Sequence, residues 1–252
     1  ESLKDKYDAV ILATGSTIGK KLGIPGEELK NSISAAGFVP WYNGHPDFAN
    51  LDLDLTSDTA VVIGAGNVAM DCARMLAVEP SELDATDTAN HAIAALKSSK
   101  IRKVYICARR GAEFAAFTSP ELRELPELEH TNVIISKTEI SGAIDRAGAE
   151  PEKHVKSNLD AMLNIASNET HPHERTMEFL FQHVPVSVNG SEKVESITFK
   201  TPEGEKTINC GLVIFDKSFA LELSSITTVA VPFAFLPLEV SLDSFEFQSI
   251  FA

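Results

Sequence analysis

Thr59-Ala60-Val61-Val62-Ile63-Gly64-Ala65-Gly66-Asn67-Val68-Ala69-Met70-Asp71 is the stretch on which the reading of the fold turns. Its first five residues make a short, fully apolar run of strand-forming side chains, closed at once by glycine. From Ala69 to Leu76 the composition and spacing are helical, and Pro80 marks the expected end. Between strand and helix lies Gly64-x-Gly66-x-x-Ala69, the spacing of a dinucleotide-binding turn. Gly64 permits the tight turn, Gly66 has no Cβ to block a pyrophosphate, and the small Ala69 lets helix and strand pack closely. The helix N-terminus then offers unpaired N–H groups and partial positive charge to phosphates. Asp71 is expected to stabilise the start of this helix rather than to take part in chemistry.

Working outward, residues 81–99 read as a second helical stretch, with Leu83, Ala89, Ile93, Ala94 and Leu96 as its apolar face. Val104 to Ala108 is the next strand, so strand, glycine turn, helix and strand form a βαβ unit with a right-handed crossover. That strand ends in Arg109-Arg110-Gly111. A unit that binds NAD places Asp or Glu here, to accept hydrogen bonds from the ribose 2′-hydroxyl. Two guanidinium groups instead suit a 2′-phosphate, through charge-assisted bonds. The reading is NADP(H) rather than NAD(H), against the plainer one of two solvated surface arginines.

Upstream, Tyr7 to Gly15 is an apolar, β-branched run leading into a loop, and Ile24-Pro25-Gly26-Glu27 is turn chemistry. A loop-rich passage then extends to about residue 58. Downstream, Ser119-Pro120-Glu121-Leu122 opens a helix with Ser as N-cap and Pro at the first helical position. Val133-Ile134-Ile135 reads as a strand and residues 150–170 as a helix. Thr176 to Val188, Glu195 to Phe199 and Lys206 to Ile208 complete an antiparallel pattern around the turn Pro202-Glu203-Gly204. The class is therefore α/β: a Rossmann-like, three-layer domain with a parallel sheet and an antiparallel β-meander. After Ile214 the texture changes, with no Lys or Arg beyond Lys217 and seven of the 14 phenylalanines in residues 215–252.

The composition excludes several classes. With 22 Lys+Arg against 36 Asp+Glu, a net charge of −14 and a pI near 4.9, sequence-independent nucleic-acid binding is disfavoured. Cys72, Cys107 and Cys210 are too few and too scattered for a disulfide framework or a metal cage, and a reducing compartment is expected. His171-Pro172-His173 has no third ligand nearby and reads as a polar loop, so no metal is expected. Leu223 to Leu238 is uncharged but short and carries Pro232 and Pro237, so it is not read as a membrane span. Trp41 either stacks on a cofactor or is a structural aromatic.

Three runs carry a more specific signal: Trp41-Tyr42-Asn43-Gly44, then Asp58 to Asp71, then Ala108-Arg109-Arg110-Gly111 with Phe117-Thr118-Ser119-Pro120-Glu121-Leu122-Arg123-Glu124. Together they resemble the NADPH:adrenodoxin (ferredoxin) reductase family, from about Tyr7 to Ile214, and favour it over thioredoxin reductases. The resemblance implies an FAD flavoprotein in which NADPH reduces the flavin and single electrons pass to a ferredoxin- or adrenodoxin-type iron–sulfur protein. By position, Gly64, Ala65, Gly66, Asn67 and Val68 match the NADP pyrophosphate loop, Arg109 and Arg110 the 2′-phosphate clamp, and Glu121 an acid at the nicotinamide-side ribose. Glu124, one turn on, faces the same cleft as a candidate catalytic acid, and Ala13, Thr14 and Gly15 match the rim of the flavin domain. The family's first, FAD-binding fingerprint and its closing Gly-rich flavin cover have no counterpart here. The division expected is a flavin-domain remnant over 1–22, an NADP-binding domain over 23–214 and a divergent tail over 215–252. The alternatives are a non-catalytic NADP-binding module or a glutamate-synthase-type NADPH-oxidising subunit. The resemblance implies a mitochondrial location, with the cytoplasm as alternative, and at most peripheral membrane association. Arg102, Lys103 and Arg123 are expected near the cleft as a docking surface for an acidic ferredoxin.

Overall fold

The computed structural model describes Lys6, Gly19 and residues 21–216. Gly19 and residues 21–216 all belong to the compact unit Ser16–Phe219. In chain order it holds β1 (Ser32–Ser34), α1 (Ala35–Tyr42), β2 (Thr59–Ile63), α2 (Asn67–Ala77), α3 (Asn90–Lys97) and β3 (Lys103–Cys107). There follow α4 (Ser119–Glu124), β4 (Thr131–Ile135), α5 (Lys137–Ala147), α6 (Lys153–Ser167), β5 (Arg175–Leu180), β6 (Val184–Asn189), β7 (Ser196–Thr201), β8 (Gly204–Asn209) and β9 (Leu212–Phe215). The expected strand Tyr7 to Gly15, with Ala13 and Thr14, and the tail beyond residue 216 lie outside the described residues.

Six strands form one wholly parallel sheet in the order β1-β9-β2-β3-β5-β4, and β6-β7-β8 form a separate antiparallel sheet. A parallel sheet has both faces covered, so its strands read as continuous apolar runs. β2 shows the division: Ala60 and Val62 join the core built with the six helices, while Val61 and Ile63 join the core shared with Val188, Ile197, Phe199 and Ile208 of the antiparallel sheet. The three layers are thus helices, parallel sheet and β-meander, as the sequence led one to expect. Among the described residues no helix is long and apolar enough to cross a membrane.

Several elements differ from expectation, each for a local reason. The supposed loop before residue 58 contains α1, capped by Ser34, whose Oγ accepts from the Ala36 N–H at 3.2 Å. Gly37 and Pro40 disguise this helix, which is held by the burial of Phe38, Trp41 and Tyr42. Trp41 is 3% exposed, stacks on Phe38 at 5.5 Å and meets the His91 ring edge-on at 5.7 Å. It is a core aromatic. Phe38 is fully buried, and Phe38→Ala should destabilise the unit by about 3–5 kcal/mol, read as a lowered denaturation midpoint.

Residues 81–99 are not one helix. Pro80–Ala85 is a 3-10 turn, α3 follows separately, and Ala92 rather than the exposed Ala94 packs inward. The expected helix 150–170 is α6, and α5 precedes it unforeseen, with Ser136 as its cap. The single strand expected from Thr176 to Val188 divides at Gln182, whose φ of 57° turns the chain from the parallel sheet into the meander. At α4 the cap position falls to Thr118. The Ser119 Oγ instead lies 2.7 Å from Asn158 Oδ1, on α6, so a tertiary hydrogen bond has taken the hydroxyl.

Candidate dinucleotide site

The glycine turn sits at the C-terminal end of β2, beside the C-terminal end of β3, where open α/β sheets place their ligands. Gly64 donates its N–H to the Cys107 carbonyl at 3.1 Å. A Cβ at Gly64 would stand 2.6 Å from that of Ala69 and 3.2 Å from that of Asp216. The close approach of helix and strand thus gives Gly64 a packing requirement in addition to the tight turn expected of it. Gly66 differs: a Cβ there would meet no atom of the described residues within 4 Å. Gly66 caps α2 in extended geometry (φ −127°, ψ 175°), and no side chain occupies the cap. The first-turn N–H groups of α2 therefore retain the partial positive charge and free donors that anions bind.

Asn67 and Thr118 tie this turn to the segment before α4. Asn67 Oδ1 accepts from the Thr118 N–H at 2.9 Å, and the Ala116 N–H donates to the Ala65 carbonyl at 2.6 Å. Asn158, 4% exposed, supports the same segment from α6 by donating to the Phe117 carbonyl at 2.6 Å. Arg109 and Arg110 continue from β3 beside the turn, both exposed. Arg110 lies over the Phe114 ring, 4.8 Å from its centroid, and its carbonyl accepts from the Gln182 N–H at 3.0 Å. The fold therefore brings the glycine turn and both arginines to one edge of the sheet.

With this arrangement established, comparison with known proteins places the chain. Residues 1–216 match the model of the pyridine nucleotide-disulphide oxidoreductases. The chain belongs to that family. Within it, the chain is similar to the NADPH-ferredoxin reductase FprA of Mycobacterium tuberculosis, 44% identical over 77% of this chain and 43% of the relative. It is also similar to the mitochondrial NADPH:adrenodoxin oxidoreductase of Arabidopsis thaliana, 44% identical over 73% of this chain and 39% of the relative. Among solved structures, Mycobacterium tuberculosis FprA in complex with NADPH superposes with a TM-score of 0.80 at 38% identity, over 86% of this chain and 51% of that one. The resemblance read from the three sequence runs is borne out. The chain spans about half or less of the length of these relatives.

In this member of the family, a polar stripe on α2 faces α4. Asn67, Asp71 and Arg74, at helical spacing, share one side of α2. Arg74 Nη1 lies 3.2 Å from Glu124 Oε2 and 3.5 Å from Glu121 Oε2, which confirms that the two acids share a face. Arg74 escaped the sequence reading, although its position four and seven residues beyond Met70 and Asn67 was a usable signal. Asp71 sits in the helix interior rather than its first turn, so it does not stabilise the helix start. Burial, and then the Glu121 charge, push its carboxyl above the ordinary value of 3.8, with Arg74 opposing. An acid whose folded pKa is raised binds its proton more tightly when folded. Its contribution is therefore lost as pH rises from 3.8 through the folded value. Asp71→Asn should accordingly raise the melting temperature near neutral pH and leave it unchanged in acid below that window, as thermal melts across pH would show.

The remaining candidates sort cleanly. Arg123 is exposed on α4. Arg102 and Lys103 are not near the cleft, because they stand at the N-terminal end of β3 and the glycine turn lies at the opposite end. Cys72, Cys107 and Cys210 are free and buried, and burial pushes the Cys210 thiol up to about 12 and the other two higher, so none is a thiolate near neutral pH. His171 is bound into the loop structure, its N–H donating to Asn132 Oδ1 at 2.8 Å. Among the described residues no group of three or more His, Cys, Asp or Glu is placed to hold a metal.

Proposed function

We propose that this chain is the NADP(H)-binding portion of an FAD-dependent NADPH:ferredoxin (adrenodoxin) reductase. The observation that carries the reading is the open approach at Gly66 to an uncapped helix N-terminus, beside two exposed arginines. The residues fit an NADP group: a side chain at Gly66 would fill the space a pyrophosphate needs, and no described residue fills it. Ala65, Gly66, Asn67 and Val68 present the backbone that would hold the pyrophosphate. Arg109 and Arg110 hold the 2′-phosphate, and Glu121, anchored by Arg74, takes the nicotinamide-side ribose. Glu124 shares that anchor and is the candidate acid of the cleft. When bound, NADPH supplies a hydride for FAD, from which single electrons go to an iron–sulfur protein. Ala13, Thr14 and Gly15, assigned to the flavin rim, lie outside the described residues.

The relatives named for ferredoxin and adrenodoxin support an iron–sulfur partner. We assign Arg123 to its docking surface, since Arg102 and Lys103 stand at the far end of β3. The domain division is residues 23–214 for the dinucleotide, 1–22 for the flavin side and 215–252 for the tail. The adrenodoxin oxidoreductases are designated mitochondrial and the mycobacterial relatives are not, and fractionation of the source cells decides between matrix and cytoplasm. The test of function is the visible spectrum of the purified chain before and after anaerobic NADPH, paired with an NADP⁺ titration. Bleaching of a flavin band supports the reductase within these residues, and NADP⁺ binding without colour supports the binding portion of a longer enzyme. Absence of NADP⁺ binding sinks the reading.

A further inference from the structure

The six-membered circuit around Arg110 has a use that its parts, taken singly, do not suggest. The Gln182 N–H donates to the Arg110 carbonyl at 3.0 Å, and the Gln182 side chain donates to Glu139 Oε2 at 3.0 Å. Glu139 Oε1 accepts from Arg146 Nη2 at 2.8 Å. Arg146 then grips Glu113 with two bonds, Nε to Oε1 at 2.7 Å and Nη2 to Oε2 at 3.0 Å. Glu113 lies within the 3-10 turn Ala112–Phe114, and the Phe114 ring closes the circuit under the Arg110 guanidinium at 4.8 Å. We propose that this circuit is a collar, centred on Arg146, that positions Arg110 and sets the preference for NADP(H) over NAD(H); it rests on the reading of Arg109 and Arg110 as a 2′-phosphate clamp.

Three observations support it. The Glu113 side chain is only 7% exposed, so its bidentate partner is a built contact rather than a passing surface pair. Gln182 is one of two non-glycine residues with positive φ among the described residues, a conformation kept only where the surroundings over-determine it. Phe114, by contrast, is 51% exposed, and among the described residues its ring partner is Arg110. A large apolar ring left in solvent under a guanidinium fixes the direction of that group while leaving its donors outward.

Charge explains the selectivity. Glu113 and Glu139 put two carboxylates behind a clamp whose ligand carries a phosphate dianion. Arg146 binds both and offsets one of their two charges, so the field at the clamp is dominated by Arg109 and Arg110. Without Arg146, Arg110 would be drawn back towards the uncovered carboxylates, and the phosphate would meet like charge. A free 2′-hydroxyl carries no such charge and would be indifferent. Arg146 and Phe114 are thus positioning residues, acting on the dinucleotide through Arg110.

The experiment is calorimetric titration of the whole chain with NADP⁺ and NAD⁺, and with 2′,5′-ADP and 5′-AMP as the shortest pair that differs by the 2′-phosphate. Arg146→Met should cut the NADP⁺ over NAD⁺ preference about tenfold, and Phe114→Ala about three- to fivefold. Phe114→Tyr, which keeps the ring, should restore it. The same ratio should move with the 2′,5′-ADP and 5′-AMP pair, whereas a merely structural lesion would weaken all four ligands together. Either single variant keeping the wild-type ratio overturns the collar, as does parallel loss for all four ligands. If Arg146→Met fails to fold, Phe114→Ala with its Phe114→Tyr rescue carries the test under the same criterion. Failure of the underlying clamp looks different: Arg109→Ala with Arg110→Ala would then leave the ratio untouched as well.

Discussion

Replacing Arg109 and Arg110 together by alanine is expected to weaken NADPH binding by at least about a hundredfold, while NADH binding changes by less than about threefold. Each charge-assisted hydrogen bond to a phosphate is worth about 1.5–3 kcal/mol, and about 1.4 kcal/mol is a factor of ten. Two such bonds, partly screened at an exposed edge, account for the figure. The fold should not notice. Both side chains are exposed, and Arg110 leans on Phe114 at the surface, so stability should stay within about 0.5 kcal/mol. Titration of the double variant with both nucleotides, beside a thermal melt, checks this. Equal losses for NADPH and NADH would remove the 2′-phosphate from the explanation.

The second large effect separates the two glycines of one motif. Gly64→Ala forces a Cβ to within 2.6 Å of that of Ala69, and neither backbone can yield without parting helix α2 from strand β2. Overpacking of this kind costs about 1–3 kcal/mol, and for a unit of this size each kcal/mol lowers the melting temperature by about 2–4 °C. Gly66→Ala meets no atom of the described residues within 4 Å, and its φ of −127° suits any residue, so its melt should match the wild type. Its loss appears in binding instead, by about tenfold or more for NADPH and NADH alike, because the added methyl stands where the shared pyrophosphate must approach. One substitution type, two positions two residues apart, and opposite readouts make a compact test. A normal melt for Gly64→Ala, or normal binding for Gly66→Ala, would contradict the assignment of roles.

What could be read in the sequence was what lies close together along the chain. The glycine turn is a six-residue pattern, β2 is five apolar residues, and the paired arginines directly follow a strand, so spacing alone located them. α1 escaped because Gly37 and Pro40 are poor helix formers, and its stability comes from burying Phe38 and Trp41 against residues far away in the chain. α5 escaped for a similar reason: its apolar repeat is weak, with Ile140 and Ala143 its only fully buried residues and Gly142 between them. The break between β5 and β6 hides in one residue, Gln182, whose backbone is turned by tertiary hydrogen bonds and not by glycine. Within the candidate site, the groups proposed to touch the ligand could be read from the sequence and those proposed to aim them could not. Arg74, Arg146 and Asn158 each act across a gap of thirty or more residues, a distance that no local pattern records.

The placement of β9 has a consequence for how the molecule is made. β9 is the last described strand of the chain, yet it lies inside the parallel sheet, pairing with β1 on one side and β2 on the other. Among the described residues β1 has no other partner in that sheet. As the chain leaves the ribosome, the slot between Ser32–Ser34 and Thr59–Ile63 stays open, with that edge of β2 unpaired, until Leu212–Phe215 emerge to fill it. Closure of such distant pairs is slow, and unpaired strand edges are sticky while they wait. Nascent chains arrested before Leu212 should therefore be chaperone clients, and the dinucleotide turn at the end of β2 should acquire its final shape only once Leu212–Phe215 have emerged.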